Sequence, residues 1–450
     1  MLRVFALLLF ALEGMAQAVP FPIALGSAPS VNTLLCHPLK DGSRRLQLGL
    51  GTQARVMYNL SNLPGPGASD FSNTGTYDFF RQRLRIVVDF RLVDTSARVQ
   101  VGSFTQVEYR GGWGGSSPTL SDPRGQAPLI NPFNRLQPRG VRYGFLYADW
   151  KDRAVLSAGL LPLTDVFGGL LFDADWGFSV GGVALGGPLL EKGRYRLAYV
   201  RLVDGVGGAT LEVAKTNGNL LLAEQSYPLR GAARLGFGLY HLVLPSELQL
   251  FTGRETWAGL VWTSSSSRLS WKGSLLLNHG ELDGEKHTGF AGGLRLGLSA
   301  GRTQWSFLAM ASTGSGEGET NRAFLTPHAL LGTAAYWALT HLFTPAGPSD
   351  VNDLALEPGN QGAGLLTTQV GCDFPLHSRL SANLFGGWFH AMETRNGSRD
   401  MGLEFGGLCK WKIAESLQME LGAAYAPLGE FFGNDPDPLF EAFSRLQFEW

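Results

Sequence analysis

Long stretches of the chain alternate between apolar and polar residues with a period of two, as side chains do along a β-strand. The segment FFRQRLRIVVDFRL is an example: Leu84, Ile86 and Val88 fall on one face of a strand, and Arg83 and Arg85 fall on the other. Similar segments recur as far as the last residue. The pattern predicts an all-β protein whose strands each have one apolar and one polar face.

The alternation predicts eighteen strands, and sixteen to twenty is the range that ambiguous segments allow. The segment 209–226 is ambiguous because KTNGN within it could instead form a hairpin turn and change the count. The predicted strands cover residues 45–60, 78–92, 96–110, 139–149, 153–161, 177–186, 193–203, 209–226, 231–243, 249–263, 267–278, 288–299, 303–313, 363–374, 378–390, 401–413, 415–426 and 438–450.

Strand length and connection length together favour a membrane barrel over a soluble β-sandwich. Most of the predicted segments have about 10–14 residues, which a tilted strand needs to cross a bilayer, whereas strands of globular proteins peak near five or six. Short turns alternate with longer connections, as on the two rims of an up-and-down barrel. We therefore predict a transmembrane antiparallel up-and-down β-barrel of about eighteen strands over residues 44–450.

The last predicted strand should close this barrel. Its alternate residues include Phe440, Leu446, Phe448 and Trp450, which would face lipid while the strand pairs with the first one. This ending resembles the C-terminal assembly signal of Gram-negative outer-membrane barrel proteins. The resemblance implies that the barrel assembly machinery and outer-membrane lipid are partners.

Composition agrees with a β-structure whose outer surface contacts lipid. Charged residues make up 17% of the chain and aromatic residues 11%, and the 60 glycines are nearly twice the average share. The net charge of −1 gives no sign of a nucleic-acid partner.

The N-terminus predicts export. Residues 1–18 have the form of a secretory signal peptide, with the basic start MLR, the apolar stretch VFALLLFAL and a cleavage motif formed by Ala16 and Ala18. Residues 19–43 are predicted to form a periplasmic extension outside the barrel. The expected location is the outer membrane of a Gram-negative bacterium.

Longer stretches resemble the alginate-export-like porins. In the front half these are RLRIVVDFRL, VQVGSFTQVEYRGGWGG and RYGFLYADWKDRAVLSAGLLPLTDVFGGLLFDADWGF. At the end the stretch is MGLEFGGLCKWKIAESLQMELGAAYAPLGEFFGNDPDPLFEAFSRLQFEW. The resemblance covers most of the mature chain and implies a transport channel of about this strand number, while it leaves the transported solute open.

If the apolar parity faces lipid, the other parity lines a lumen in which about sixteen basic residues face about eight acidic ones. The basic residues are Arg45, Arg55, Arg81, Arg83, Arg85, Arg91, Arg98, Arg110, Arg142, Arg196, Arg234, Lys272, Arg295, Lys410, Lys412 and Arg445. The acidic residues are Asp89, Glu108, Glu255, Asp373, Glu404, Glu420, Glu441 and Glu449. We predict that the pore is lined by Arg81, Arg83, Arg85, Asp89, Arg91, Arg98, Glu108, Arg110, Arg142, Arg196, Arg234 and Arg295.

Rings of arginine raise the local concentration of anions, so we expect a porin for passive diffusion of small hydrophilic solutes with a preference for anions. The alternative is that the arginines only neutralise carboxylates such as Asp89 and Glu108. A barrel of this size is wide, and something must narrow it. The long loops 111–137 and 314–362 of the outer rim are candidates: they fold inward under one hypothesis and stay external under the other.

Enzymatic and metal-binding chemistry finds little support in the sequence. The 8 histidines have no metal-ligand spacing, and no G-x-S-x-G nucleophile motif is present. No cofactor and no catalytic residue are therefore expected. The alternatives left open are a substrate-specific exporter of an anionic polysaccharide, a soluble all-β binding protein and a barrel hydrolase. Whether the barrel forms a homo-oligomer also stays open.

Overall fold

A computed structural model describes most of the chain. The described residues are 31–39, 44–63, 71–72, 74–94, 99–113, 141–151, 153–174, 179–190, 192–202, 218–244, 252–316, 321–327, 337–344 and 354–450. The predicted signal peptide 1–18, with Ala16 and Ala18, and most of the predicted loop 111–137 lie outside them.

Within the described residues, nineteen strands form a single antiparallel sheet. They are β1 Asn32–Pro38, β2 Arg44–Ser61, β3 Tyr77–Asp94, β4 Val99–Trp113, β5 Val141–Trp150, β6 Ala154–Pro162, β7 Ser179–Leu189, β8 Gly193–Leu202, β9 Gly218–Pro228, β10 Arg234–Leu244, β11 Gly253–Ser265, β12 Leu269–Leu282, β13 Glu285–Ala300, β14 Thr303–Ser312, β15 Leu365–His377, β16 Leu380–Arg395, β17 Ser398–Lys412, β18 Leu417–Ala426 and β19 Leu439–Glu449. All but β1 correspond to the eighteen predicted strands, including the ambiguous one, which is observed as β9.

Each strand from β2 to β19 pairs with the next along the chain, and the last pairs with the first. Glu441 lies opposite Ser61 of β2, and Glu449 lies opposite Gln53. The predicted closure of an eighteen-stranded barrel is therefore confirmed. Among the described residues, no helix is long and apolar enough to span a bilayer.

Strand β1 was not predicted, because it lies within the segment expected to be an extension outside the barrel. Its residues pair with Arg45–Leu50 of β2, beyond the point where Trp450 at the end of the chain meets Thr52. β1 therefore continues the seam toward the rim of short turns.

Exposed and buried side chains alternate along the barrel strands. In β10, Phe237 and Leu239 are exposed, whereas Gly238 and Tyr240, which alternate with them, are buried. The exposed parity carries the apolar side chains that were predicted to face lipid, and the other parity faces the lumen. A surface of large exposed apolar side chains is favourable only against hydrocarbon or a partner.

Tryptophans of the outer face lie close to the short turns. Trp150 is the last residue of β5, Trp411 lies one residue before the end of β17, and Trp305 lies two residues after the start of β14. Trp450 is the last residue of the sequence, and all four side chains are exposed. Such a girdle is typical of the interfacial zone of a membrane barrel.

We expect Leu384→Arg to destabilise the barrel by roughly 2–4 kcal/mol, because Leu384 is 55% exposed on the outer face of β16, four residues beyond the level of Trp411 in the girdle. The neighbouring Asn383→Arg is the matched control: Asn383 faces the lumen and donates to Asp373, so a cation there stays in water. Unfolding midpoints in lipid vesicles measure both. Equal losses in the two variants would contradict the assignment of the faces.

Candidate functional site: the barrel lumen

The structure places the described members of the predicted pore-lining set on the inner side of the wall, Arg142 through a shift of register between β4 and β5 and the others through the parity of their strands. These are Arg81, Arg83, Arg85, Asp89, Arg91, Glu108, Arg142, Arg196, Arg234 and Arg295. Arg98 lies outside the described residues, and of Arg110 only the backbone position in β4 is described. Their effect on ion flow stays a prediction.

Several of these charges are buried in ion pairs. The Glu108 carboxylate accepts a hydrogen bond from Arg85 and lies 3.1 Å from Nη1 of Arg142. Arg142 is fully buried, and its Nη2 also donates to the carbonyl oxygen of Ala174 at 2.9 Å. This cluster therefore lies beneath the segment that contains Ala174 and does not face open water.

Other arginines form a wall near the barrel seam, which we call the arginine wall: Arg55, Arg81, Arg83 and Arg445. Arg55 and Arg83 are directly opposite each other on β2 and β3. Arg445 lies on β19, where its guanidinium pairs with Glu420 of β18.

The arginine wall is bonded partly to neutral groups. Nη2 of Arg55 donates to the side-chain oxygen of Gln447 at 2.8 Å, and Nη2 of Arg83 donates to that of Gln53 at 2.9 Å. These amide oxygens orient the two guanidinium groups, each of which adds a positive charge to the wall of the lumen.

The connection between β6 and β7 folds into the lumen. Its residues 163–174, the first inserted segment, pack against the wall formed by β8 to β11. The Glu224 carboxylate accepts the N–H of Val166 at 3.0 Å and the hydroxyl of Tyr240 at 2.6 Å. The same carboxylate accepts two hydrogen bonds from Arg196, at 2.6 and 2.7 Å.

Phe167 of the first inserted segment fits into a gap between two glycines. Gly238 and Gly259 lie directly opposite each other on β10 and β11. A Cβ atom on either glycine would come within 2.9 Å of the Phe167 ring, so only glycine admits the ring at both positions.

Asp165 organises the first inserted segment internally. Its carboxylate accepts the N–H groups of Gly169, Leu171 and Phe172 at 3.1, 2.7 and 2.9 Å. Burial raises the pKa of Asp165 to about 6, although these hydrogen bonds oppose the shift.

A second inserted segment, residues 337–344, is attached further round the wall, at β13 to β17. The Glu404 carboxylate of β17 accepts three consecutive backbone N–H groups, from His341 at 2.5 Å, Leu342 at 2.8 Å and Phe343 at 3.0 Å. Three N–H groups converging on one carboxylate form a strong anion-binding arrangement.

Further contacts fix the second inserted segment to other strands. Arg295 of β13 donates to the carbonyl oxygens of Trp337 and Ala338 at 3.0 and 3.2 Å. The side chain of Gln369 accepts the Leu339 N–H at 2.7 Å. Burial, and then the charges of Lys410 and Arg445, lower the pKa of His341 to about 3, so its ring is neutral at neutral pH.

Residues 337–344 of the predicted loop 314–362 thus fold inward, as the inward hypothesis proposed. Besides residues 337–344, the backbone oxygen of Leu325 accepts a hydrogen bond from the buried indole of Trp257 at 2.6 Å. The loop is therefore not external in these parts.

The sequence did not single out Glu224, Tyr240 or the first inserted segment. Glu224 lies in GNLLLAEQSYP, where leucines occupy both parities. The alternation therefore does not show which face of this strand points inward. Within the described part of the chain, no three metal-ligating side chains form a cluster.

The structure is similar to outer-membrane porins of Pseudomonas. It matches OpdK of Pseudomonas aeruginosa with a TM-score of 0.57 at 15% identity, covering 89% of this chain and 98% of that one. It matches OccK2 (OpdF) of Pseudomonas aeruginosa in complex with glucuronate with a TM-score of 0.57 at 12% identity, covering 92% and 97%. It matches a BenF-like porin of Pseudomonas fluorescens Pf-5 with a TM-score of 0.57 at 11% identity, covering 89% and 98%.

At these identities the likeness shows the fold alone, which is that of an outer-membrane porin barrel. No family model matches the sequence, and a search of curated proteins finds no match either. The comparisons thus support the predicted porin fold but do not single out the alginate-export-like porins.

Proposed function

We propose that this chain is an outer-membrane porin through which small hydrophilic solutes diffuse, with a preference for anions. The observation that carries the proposal is the lumen itself. Two inserted segments narrow an eighteen-stranded barrel, and the arginine wall contributes positive charge to the lumen. When a bore is narrow and its protein walls have a low dielectric constant, the attraction of such charges for anions in the bore is stronger.

Small carboxylates are the anions that we propose as solutes. One of the similar porins, OccK2, is described with glucuronate, and OpdK is described with vanillate. Both molecules are carboxylates, and arginine recognises a carboxylate through two parallel hydrogen bonds. Of Arg55 and Arg83, Arg55 is the less buried, and we propose it for this contact.

The outer membrane of a Gram-negative bacterium is the proposed location. The exposed apolar outer face and the tryptophans near the short turns support it. Phe440, Leu446, Phe448 and Trp450 lie on the outer parity of β19 or just after it, as an assembly signal read by the barrel assembly machinery would require.

Export of an anionic polysaccharide, which the resemblance to alginate-export-like porins suggests, is the weaker proposal. A polymer needs an open bore along its whole path, whereas residues 163–174 and 337–344 both occupy the lumen. None of the contacts in the described lumen favours polymer passage over small-solute diffusion.

Replacing Arg55 and Arg83 together by glutamine is expected to reduce the anion preference. The change removes two positive charges and keeps Arg85 and Arg142, which pair with Glu108, and Arg196, which pairs with Glu224. The reversal potential of single channels in a planar bilayer under a KCl gradient measures the preference.

The matched control is Arg201→Gln, which removes one exposed cation from the outer parity of β8. Its reversal potential should equal that of the wild type. A wild-type reversal potential of zero, or one whose sign shows that potassium permeates better than chloride, would contradict the anion preference. If the purified protein formed no channel at all, the porin proposal itself would be contradicted.

A further inference from the structure

A second row of cations lies on the inner wall far from the arginine wall. Arg234 of β10 is opposite Thr263, Thr263 is opposite Lys272, and Lys272 is opposite Arg295 of β13. Strands in a sheet are about 4.8 Å apart, so the three cations span three strand spacings. In a closed ring of eighteen strands β11 is nine strands from β2, which places this row across the lumen from Arg55.

A row of small and hydroxyl side chains lies next to these cations, one step closer to the short turns. Ser265 is opposite Ser270, Ser270 is opposite Gly297, and Gly297 is opposite Ser306. The two rows line a cavity of about 380 Å³. None of the described residues that line it is acidic.

The adjacent cations would be unfavourable without a compensating group. Lys272 and Arg295 are directly opposite, and like charges in that position destabilise a sheet. Arg295 is partly compensated by the carbonyl oxygens of Trp337 and Ala338, and Lys272 by the attraction of Asp165.

These contacts leave donors available to a ligand. A guanidinium has five N–H donors and an ammonium has three, whereas the described bonds of Arg295 use only Nη2. Arg234 is exposed, and its described bond to Ser226 is long, at 3.5 Å. The cavity therefore offers cationic and hydroxyl donors together.

We propose that this cavity, the second anion subsite, binds the oxyanion group of a solute that also carries hydroxyl groups. The oxyanion, a phosphate or a carboxylate, meets Arg234, Lys272 and Arg295, and the solute hydroxyls meet the serines. The subsite lies toward the short-turn rim, beside the contacts of Lys272 and Arg295 with the two inserted segments. A solute that has passed these segments would be held there before release; this role rests on the proposed porin function.

Equilibrium binding tests the subsite. Calorimetric titration of the purified barrel in detergent uses glucose 6-phosphate, glucuronate and glucose as probes, which separates phosphate, carboxylate and uncharged sugar. At least one anion should bind more tightly than glucose. Arg234→Gln should weaken that binding about tenfold, the effect of losing one charge-assisted hydrogen bond.

Controls locate the binding site. Arg201→Gln on the outer parity should leave the affinity unchanged, and Ser270→Ala should weaken it without removing a charge. Unchanged affinity in Arg234→Gln, or binding that is lost only when Arg55 and Arg83 are replaced, would overturn the second anion subsite. Because detergent binding needs no conduction, a missing channel and a missing subsite are distinguishable.

Discussion

Replacing Glu404 by alanine is expected to raise the single-channel conductance severalfold, because it detaches the second inserted segment from β17. The carboxylate accepts the N–H groups of His341, Leu342 and Phe343, and a hydrogen bond to a charged group contributes roughly 1.5–3 kcal/mol. Without the Glu404 carboxylate, three neighbouring buried N–H groups lose their acceptor. The second inserted segment then moves away from β17, so that these N–H groups can bond to water. A barrel of this strand number leaves an aqueous channel once the segment no longer fills it.

Glu441→Ala is the matched control for Glu404→Ala. Glu441 is also buried on the inner parity, but its carboxylate accepts a hydrogen bond from Asn59 of the neighbouring strand at 2.5 Å. Both variants lose one negative charge, and Glu404→Ala in addition loses the acceptor of three N–H groups of the second inserted segment. Planar-bilayer recording at fixed salt measures both, with heat-modifiable migration as the check of folding. Wild-type conductance from folded Glu404→Ala would refute the attachment.

The barrel could be predicted because lipid outside and water inside give most strands one apolar and one polar face. In β3, Leu84 and Ile86 are exposed on the outer face, whereas Arg83 and Arg85 point inward, as the alternation indicated. The strand number followed from the same pattern. Boundaries shifted at several hairpins, for example where β12 and β13 extend into a tight turn at residues 283–284.

The alternation of apolar and polar residues is lost where the inner face of a strand packs against protein instead of water. In β9, Leu220 and Leu222 point inward and are buried, although Leu221 between them is exposed outward. Both parities are apolar there because the inner face packs against protein instead of water. Inner residues such as Glu224 then cannot be distinguished from sequence.

The arginines of the inner parity were predicted, but their burial was not. Arg142 lies at a shift of register between β4 and β5, where Val141 and Tyr143 pair with consecutive residues of β4, and such a bulge leaves no signature in the alternation. Its cover, Ala174, belongs to a segment that folds inward through contacts with strands far along the chain. The periodicity of a sequence shows which residues of a strand share a face. It does not show which distant segment packs on that face.

Replacing Glu224 by leucine is expected to have a different effect from the Glu404 variant, because Glu224 holds a buried guanidinium as well as an inserted segment. Removing one partner of a buried ion pair costs roughly 3–5 kcal/mol, since Arg196 then keeps its charge without this carboxylate. The variant should yield less folded barrel. Its conductance should also rise, because Val166 and Tyr240 lose their shared acceptor. Folded fractions on semi-native gels and urea midpoints in vesicles measure the loss.

A double variant separates the two roles of Glu224. In Arg196→Met with Glu224→Leu the buried charge is absent, and apolar replacement of a buried pair is often neutral or stabilising. The folded fraction should therefore recover, whereas the first inserted segment still lacks the anchors of Val166 and Thr164, so the raised conductance should persist. Recovery of stability together with wild-type conductance would show that Phe167 between Gly238 and Gly259 is sufficient to hold the segment. In that case the carboxylate matters only as the partner of Arg196.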